Sequence, residues 1–298
     1  MSGYGIRMRI HLAGALALVV LTLAACTPDA VPTPTVTVTE TAHTDTTVTF
    51  TPTPEVDLNL VPNPYARPVS LGTEVLPLTK NGLAKPGETP PELVNRQLEP
   101  RPSLPDPDSD EWFVTISEVP DDVLARSSWT KKCPVKASEL SYVVMPFWGF
   151  DNKPHTGEML INAKWATKVS GVFKVIYEHR FPIEEMRVTT ADEVGGDHFG
   201  DQNVTISFEC RRTTGGYTTW SAHASGLALD INPFQNPWVR NGFIYPELAT
   251  AYTDRTWLRP GMIETRRDII TQFQKIGWSW GGNWGVFDDW MHFSANNH

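Results

Sequence analysis

Basic residues are scarce in this 298-residue chain. Lys and Arg together number 25 against 34 Asp and Glu, which gives a formal net charge of −9. Neither Lys nor Arg occurs between Arg9 and Arg67. Proteins that bind DNA or RNA need clustered positive charge to displace the counterions of the phosphate backbone. The composition therefore excludes nucleic-acid binding as the primary role.

A long hydrophobic run is also missing. The mostly apolar stretch 12–25 holds 14 residues without a charge, whereas a membrane-spanning helix needs about 20. This stretch follows Arg7 and Arg9 and ends in Leu-Ala-Ala before Cys26, an order that resembles a bacterial lipoprotein signal. We therefore expect residues 1–25 to be an export signal and a lipid on Cys26 to anchor the protein outside the cell membrane. The alternatives are an ordinary signal peptide and a short anchor helix, either of them with an incidental cysteine.

The composition changes twice after Cys26. Residues 27–54 contain 12 Thr and five Pro, too few large apolar groups to offset the entropy of ordering. Residues 26–60 are therefore interpreted as a Thr/Pro-rich tether. Residues 61–111 form a proline-rich arm, with 11 Pro between positions 61 and 107. The globular domain is expected to span 112–298.

Apolar spacing within that domain indicates a few regular elements. Residues 142–145 predict a short strand, followed by an aromatic turn at 147–150. Helical spacing covers 163–179 and again 263–276. The remainder consists of short strands and glycine-rich turns. The sequence therefore predicts an α+β domain with a small antiparallel sheet and flanking helices.

A first cluster of chemically active residues lies in the segment 221–232. His223 and Asp230 are seven residues apart, with Gly226 between them. Alternation of apolar residues after Gly226 predicts a strand that buries one face and directs Asp230 to the other. An imidazole and a carboxylate at this spacing are a plausible pair of metal ligands. A surface histidine and a capping aspartate would explain the spacing equally well.

A second cluster lies near the C-terminus, where Asp289 and His292 are three residues apart. The glycine-rich turn before them contains Trp278, Trp280 and Trp284. A cleft walled by tryptophan beside a carboxylate and an imidazole suits a polar ligand of the sugar or peptide type. Alternatively, these tryptophans simply fill the core.

The two clusters together resemble a known family. The patterns S-x-H-x-x-G-x-A-x-D from Ser221, G-W-x-W-G-G-x-W from Gly277 and D-x-x-H-F from Asp289 are similar to those of zinc peptidases that cut peptidoglycan stem peptides. That family includes vancomycin-resistance D,D-carboxypeptidases and phage L-alanyl-D-glutamate endolysins. Upstream segments are also similar to those of bacterial members, at 133–135, 148–151, 155–158 and 208–211. The resemblance implies a Hedgehog/D,D-peptidase-like domain.

The resemblance also implies roles for individual residues. His223, Asp230 and His292 would bind Zn²⁺, and Asp289 would be the catalytic carboxylate. Arg211 would polarise the substrate carbonyl or pair with a substrate carboxylate, although its neighbour Arg212 is an alternative. Four further residues are expected to contact the substrate: Ser221, Asn203, Trp280 and Trp284.

Some positions depart from the family pattern. The carboxypeptidase branch usually has Glu in place of Asp289, whereas endopeptidase-like members often use Asp. Met291 stands where an aromatic residue or proline is more usual, and Ser294 where an acidic residue is common. These departures concern the choice of substrate more than metal binding. His155 and His198 are not expected to be ligands.

The three cysteines are accounted for if Cys26 carries the lipid. Cys133 and Cys210 would then remain, 77 residues apart, in an exported protein where disulfides persist. We expect a disulfide between them, with two free buried thiols as the alternative.

The sequence therefore predicts a monomeric, lipid-anchored, extracytoplasmic zinc peptidase whose partner is the peptidoglycan stem peptide. It would be either a D-Ala-D-Ala carboxypeptidase or an L-Ala-D-Glu type endopeptidase. One alternative is a catalytically degenerate peptidoglycan-binding lipoprotein of the same fold. A sugar-binding lipoprotein is a further alternative, but it would leave the ligand spacing unexplained.

Overall fold

A computed structural model describes residues 63–80, 82–101, 103–214 and 218–296. The predicted export signal, the lipidation site Cys26 and the Thr/Pro-rich tether lie outside these residues. No helix in the described part of the chain has the length and apolar character needed to cross a membrane.

The described residues contain short helices and short strands. The helices are α1 Asp121–Arg126, α2 Ala166–Glu178, α3 Ala191–Gly195 and α4 Arg267–Lys275. The strands in chain order are β1 Thr115–Glu118, β2 Leu140–Trp148, β3 Pro154–Asn162, β4 Glu185–Met186, β5 Val204–Thr205, β6 Ala228–Asp230, β7 Trp238–Arg240, β8 Phe243–Tyr245, β9 Ser279–Trp280, β10 Asp288–Asp289 and β11 His292–Ser294.

The strands form several small sheets. Three are antiparallel and three-stranded, with the orders β1-β2-β3, β6-β11-β9 and β10-β7-β8, whereas β4 and β5 form a parallel pair. The fold is therefore mixed α and β with small antiparallel sheets, as predicted. The antiparallel strands are divided among three small sheets and do not form the single sheet that was expected.

The main core lies between the β2–β3 hairpin, α2, α4 and β11. Buried apolar residues on α2 recur at spacings of three and four, which directs one helix face to the hairpin. The rings of Phe273 on α4 and Phe293 on β11 stack with their centroids 4.0 Å apart. Because neighbouring residues of a strand point to opposite faces, the burial of Phe293 directs His292 away from this core.

The predicted elements differ from the observed ones mainly at their ends. The strand at 142–145 lies within the longer β2, which also takes up Phe147 and Trp148. The aromatic turn expected at 147–150 is therefore wrong, and the turn instead runs from Gly149 to Lys153, whose backbone groups are bonded. The second predicted helix begins as a 3₁₀ turn, Ile263–Arg266, before α4. The Ile263 amide bonds the Asn236 side chain, which helps fix that first turn.

The proline-rich arm packs into the same compact unit as the rest of the described chain. Leu93 and Leu98 join a second apolar cluster with Phe234 and Tyr252. Beside them the Arg96 side chain is 1% exposed, and its guanidinium binds both Glu184 carboxylate oxygens at 2.7 Å. The arm therefore contributes buried side chains to the fold.

Candidate metal centre

His223 is positioned by a short turn. It lies on the 3₁₀ turn Ala222–Ser225, and its amide donates to the Ser221 hydroxyl at 3.3 Å. The turn ends at Gly226, which has a φ of +62°, and a Cβ there would lie 2.5 Å from the Asn162 amide nitrogen. Only glycine fits this position without strain. The Ser221 hydroxyl therefore caps the turn, and its predicted contact with the substrate stays a prediction.

Asp230 and His292 are brought together by strand pairing. Asp230 ends β6, His292 begins β11, and the antiparallel register places the two residues directly opposite each other. Side chains opposite each other in a sheet project from the same face. Although the two residues are 62 positions apart in sequence, His292 Nδ1 lies 3.0 Å from Asp230 Oδ1.

The three predicted ligands form one buried cluster. His223 Nε2 lies 3.2 Å from Asp230 Oδ2 and 3.3 Å from His292 Nδ1. Each of the three residues is at most 6% exposed. Four-coordinate zinc with bonds of about 2.0–2.1 Å holds its ligand atoms roughly 3.3 Å apart. The spacing and the donor types therefore fit a divalent transition metal, and this cluster is a candidate metal site.

Hydrogen bonds and charge interactions keep His223 and Asp230 in the states that bind a cation. His223 Nδ1 lies 2.8 Å from the carbonyl oxygen of Ser207, to which a ring N–H can donate. That bond leaves the lone pair of Nε2 facing the other two ligands. Burial opposes the charge of Asp230, but the two histidines outweigh it and hold the Asp230 pKa far below its usual range. Asp230 therefore presents a carboxylate.

Asp289 lies on β10, next to this cluster. One carboxylate oxygen, Oδ1, is buried and has no hydrogen-bond partner among the described residues. Burial raises the pKa of Asp289 to about 7, and the nearby charge of Asp230 adds to the effect. A carboxyl group with such a pKa can take up and release a proton near neutrality.

The glycine pair of the tryptophan-rich turn explains how Asp289 is held. A Cβ on Gly281 would lie 2.5 Å from the Asp289 carbonyl oxygen and 2.8 Å from its Cβ. The backbone of β10 can therefore approach the turn closely only where a glycine is present. The sequence analysis did not identify this need for a glycine at position 281, although the Gly-Gly pair of the motif indicated it.

Arg211 lies close enough to Asp230 of the candidate site for their charges to interact. Its Nε donates to Glu209 Oε2 at 2.8 Å. Burial disfavours its charge, but Glu209 and Asp230 outweigh burial and raise the Arg211 pKa. Arg212 is engaged elsewhere, since its guanidinium lies 3.6 Å from the centre of the Trp220 ring. These contacts favour Arg211 as the arginine that serves the site.

The disulfide predicted between Cys133 and Cys210 is present, with the two Cα atoms 5.7 Å apart. Cys210 directly precedes Arg211. The bridge thus ties the segment that carries Arg211 to the segment before β2, and so limits the motion of that arginine.

A cleft of about 970 Å³ opens beside the cluster. Its lining includes Asp230, Arg211 and Tyr245, together with arm residues such as Arg67 and Leu78. A volume of this size accommodates a peptide of several residues. The cleft therefore connects the candidate metal centre with the proline-rich arm.

The predicted substrate-contacting residues differ in placement. Trp284 lies beside the cluster, with its ring centroid 5.4 Å from that of His292 and a buried Nε1 that has no partner in the described part of the chain. Trp280 belongs to the main core, and its indole donates to the Trp290 carbonyl. Trp278 is also buried there, so the alternative that tryptophans fill the core applies to these two.

Asn203 lies in the cleft wall, but its side chain serves the protein itself. Its amide nitrogen donates to Glu184 at 2.6 Å and to Gln235 at 2.9 Å, and its oxygen accepts from the Phe234 amide. Both amide hydrogens are thereby used within the protein, and the predicted substrate contact of Asn203 stays a prediction.

The two remaining histidines considered in the sequence are outside the metal cluster. His155 bridges Asp106 and Asp151 through its two ring nitrogens. His198 Nε2 lies 2.6 Å from Glu247 Oε2.

Residues 214–295 match the family model described as D-alanyl-D-alanine carboxypeptidase. The matched segment contains the three candidate ligands and Asp289. The resemblance inferred from the motifs is thereby confirmed over this segment. No curated protein and no solved structure matches the chain.

Proposed function

We propose, from the family that residues 214–295 match, that this chain is a zinc-dependent peptidase of peptidoglycan stem peptides with a D,D-peptidase-like (Hedgehog-like) domain. The observation that carries the proposal is the convergence of three buried ligand atoms beside a carboxyl group whose pKa is about 7. A wall-binding module of the same fold would need neither feature.

The residues of the cluster would hold the metal with two imidazoles and one carboxylate, a donor set typical of catalytic zinc sites. Zinc bound in this way supplies an activated water by lowering the pKa of that water to about 7. Ser207 fixes the ring of His223 through its carbonyl oxygen, and strand pairing fixes Asp230 against His292.

Asp289 would serve as the proton carrier. Its buried Oδ1 has no partner among the described residues, so it is free to accept a proton from the attacking water. The same carboxyl group would then deliver that proton to the amine that leaves. The raised pKa of Asp289 in the metal-free protein favours proton uptake by this carboxyl group.

Arg211 would bind the substrate. Its guanidinium lines the cleft beside Asp230 and is kept charged by Glu209. A planar guanidinium binds a carboxylate or a carbonyl oxygen with directional hydrogen bonds. A stem peptide offers both groups near its C-terminal end, which is where a carboxypeptidase acts.

The location of the enzyme belongs to the same proposal. The signal-like residues 1–25 and Cys26 support a lipoprotein held at the outer face of the cell membrane, where peptidoglycan is accessible. A Cys26→Ser variant should appear in the soluble fraction of the envelope. Continued retention in membranes would refute the lipid anchor without affecting the proposed chemistry.

Digestion of purified muropeptides followed by mass spectrometry tests the proposed function. Loss of a terminal alanine would identify a D,D-carboxypeptidase, and release of the stem after L-Ala would identify an endopeptidase. Unchanged muropeptides that nevertheless bind the protein would favour the degenerate alternative. Asp289→Asn is the matched inactive control.

A further inference from the structure

Tyr245 occupies the same face of a sheet as Asp289. In the sheet β10-β7-β8, Asp289 lies opposite Trp238, and Trp238 lies opposite Tyr245. Residues that are directly opposed across antiparallel strands project from the same face. Since neighbouring strands are about 4.8 Å apart, the Cα atoms of Asp289 and Tyr245 are separated by about 10 Å. A tyrosine side chain can span much of that distance.

The lining of the cleft independently indicates that Tyr245 lies near the candidate metal centre. Tyr245 is half-buried and lines the same cleft as Asp230 and Arg211. Burial raises the pKa of the Tyr245 phenol, and the negative charge of Glu209 adds to the rise. The phenol therefore keeps its proton at physiological pH and is a hydrogen-bond donor.

Contacts with neighbouring side chains fix the orientation of the Tyr245 ring. The rings of His198 and Tyr245 stack with their centroids 5.7 Å apart and an angle of 24° between them. His198 is in turn held by Glu247, whose other carboxylate oxygen accepts from the Ala84 amide of the arm. Glu247 is 1% exposed. A tyrosine supported in this way is preorganised, which is the property required of a group that stabilises a transition state.

We propose that Tyr245 is a further catalytic residue, whose phenolic O–H donates a hydrogen bond to the carbonyl oxygen of the peptide bond that is cut. The bond strengthens as negative charge develops on that oxygen, and the phenol keeps its proton throughout. Arg211 is then available for the substrate carboxylate. This inference rests on the proposed peptidase function and identifies a residue outside both sequence motifs.

The test is the variant Tyr245→Phe, which removes the hydroxyl and keeps the ring that stacks on His198. Loss of one preorganised donor typically lowers kcat by ~100-fold or more. We expect such a loss with KM, zinc content and melting temperature unchanged. The matched control is Tyr252→Phe, which removes the buried hydroxyl that accepts from the Arg96 amide. It should lower the melting temperature and leave kcat unchanged.

A second measurement separates this inference from the proposed function. A phosphinate analogue of the D-Ala-D-Ala bond mimics the anionic tetrahedral state, and its binding to the zinc-loaded protein is measured by calorimetry. Tyr245→Phe should weaken this binding by at least tenfold while binding of the product D-Ala peptide is unchanged. An unchanged kcat and unchanged phosphinate affinity would overturn the role of Tyr245 alone, as would a rise in KM with kcat intact. A wild-type protein that neither cuts the peptide nor binds the phosphinate would overturn both proposals.

Discussion

Asp230 and His292 lie opposite each other on antiparallel strands, and His292 Nδ1 is 3.0 Å from Asp230 Oδ1. The strand register therefore positions two of the three candidate metal ligands. The third ligand, His223, lies on a turn that ends at Gly226.

The first prediction concerns Asp230→Asn. The change removes one anionic ligand and keeps the shape of the side chain. Since even residues that only support ligands cost ~10–100-fold in metal affinity, the zinc affinity should fall by more than ~100-fold. Competition with a chromogenic chelator measures it. Asp288→Asn, which alters the neighbouring carboxylate of β10, is the control and should bind zinc normally. Equal affinities for the two variants would exclude Asp230 as a ligand.

The second prediction concerns the proton carrier. Asp289→Asn should retain zinc and lose ~10²–10⁴-fold in kcat, the usual contribution of a general base. In the wild type, kcat/KM should fall as the pH drops through the pKa of Asp289 in the zinc-loaded enzyme, because protonated Asp289 cannot accept a proton. A variant that cuts muropeptides at the wild-type rate would remove Asp289 from the mechanism.

The raised pKa of Asp289 also predicts an effect on stability. Because its folded-state pKa of about 7 lies above the ordinary value of 3.8, the charged carboxylate destabilises the metal-free fold at high pH. Metal-free Asp289→Asn should therefore melt at a higher temperature than the wild type above pH 7. The difference should vanish below about pH 4, where the Asp289 carboxyl group is neutral in both the folded and the unfolded wild-type protein. Melting curves across this range check the sign, and a difference independent of pH would contradict it.

The third prediction concerns the glycine behind Asp289. Gly281→Ala should displace Asp289, because the added Cβ would lie 2.5 Å from its carbonyl oxygen. We expect a lower kcat with zinc retained. Gly171→Ala is the matched control, since a Cβ there meets nothing within 4 Å in the middle of α2. It should stabilise the fold by up to ~1 kcal/mol without changing kcat. Unaltered kinetics in Gly281→Ala would show that this contact does not position Asp289.

The fourth prediction concerns the buried pair between the arm and the domain. Arg96→Met leaves Glu184 buried with only part of its ion pairing, and removal of one partner of a buried pair costs about 3–5 kcal/mol. The exposed pair Lys174–Glu178 is the control, and Lys174→Met should change stability by less than ~1 kcal/mol. Denaturant unfolding measures both.

The same pair predicts an acid sensitivity. Burial opposes the charge of Glu184, but Arg96 outweighs it and lowers the Glu184 pKa below 4.5. A lowered folded-state pKa contributes stability above the ordinary pKa, and this stability is lost as the pH falls through the lowered value. The wild type should therefore lose more stability than Arg96→Met between about pH 4.5 and pH 2. Parallel losses in the two proteins would count against the pair.

The resemblance to a peptidase family, carried by the motifs that begin at Ser221, Gly277 and Asp289, predicted much of the candidate site. Asp289 and His292 are three residues apart, so their proximity needs no knowledge of the fold. Apolar spacing located α2 and α4 within a few residues, since helical periodicity is a local signal.

Features that depend on distant pairing could not be predicted. Tyr245 reaches the site only through the register of β7 and β8, which lie outside both motifs. Arg96 appears in a proline-rich segment that gives no sign of a core, and its partner Glu184 is 88 residues away. The internal hydrogen bonds of Asn203 and Trp280 could not be predicted either, because their partners are distant in sequence or belong to the backbone.

The zinc content of the purified wild-type protein tests the central claim most directly. We expect close to one zinc per chain, measured by mass spectrometry of the metal. This zinc should remain bound during dialysis of the wild-type protein and should be lost from His223→Ala. A correctly folded wild-type protein that takes up no zinc, with His223, Asp230 and His292 intact, would contradict it.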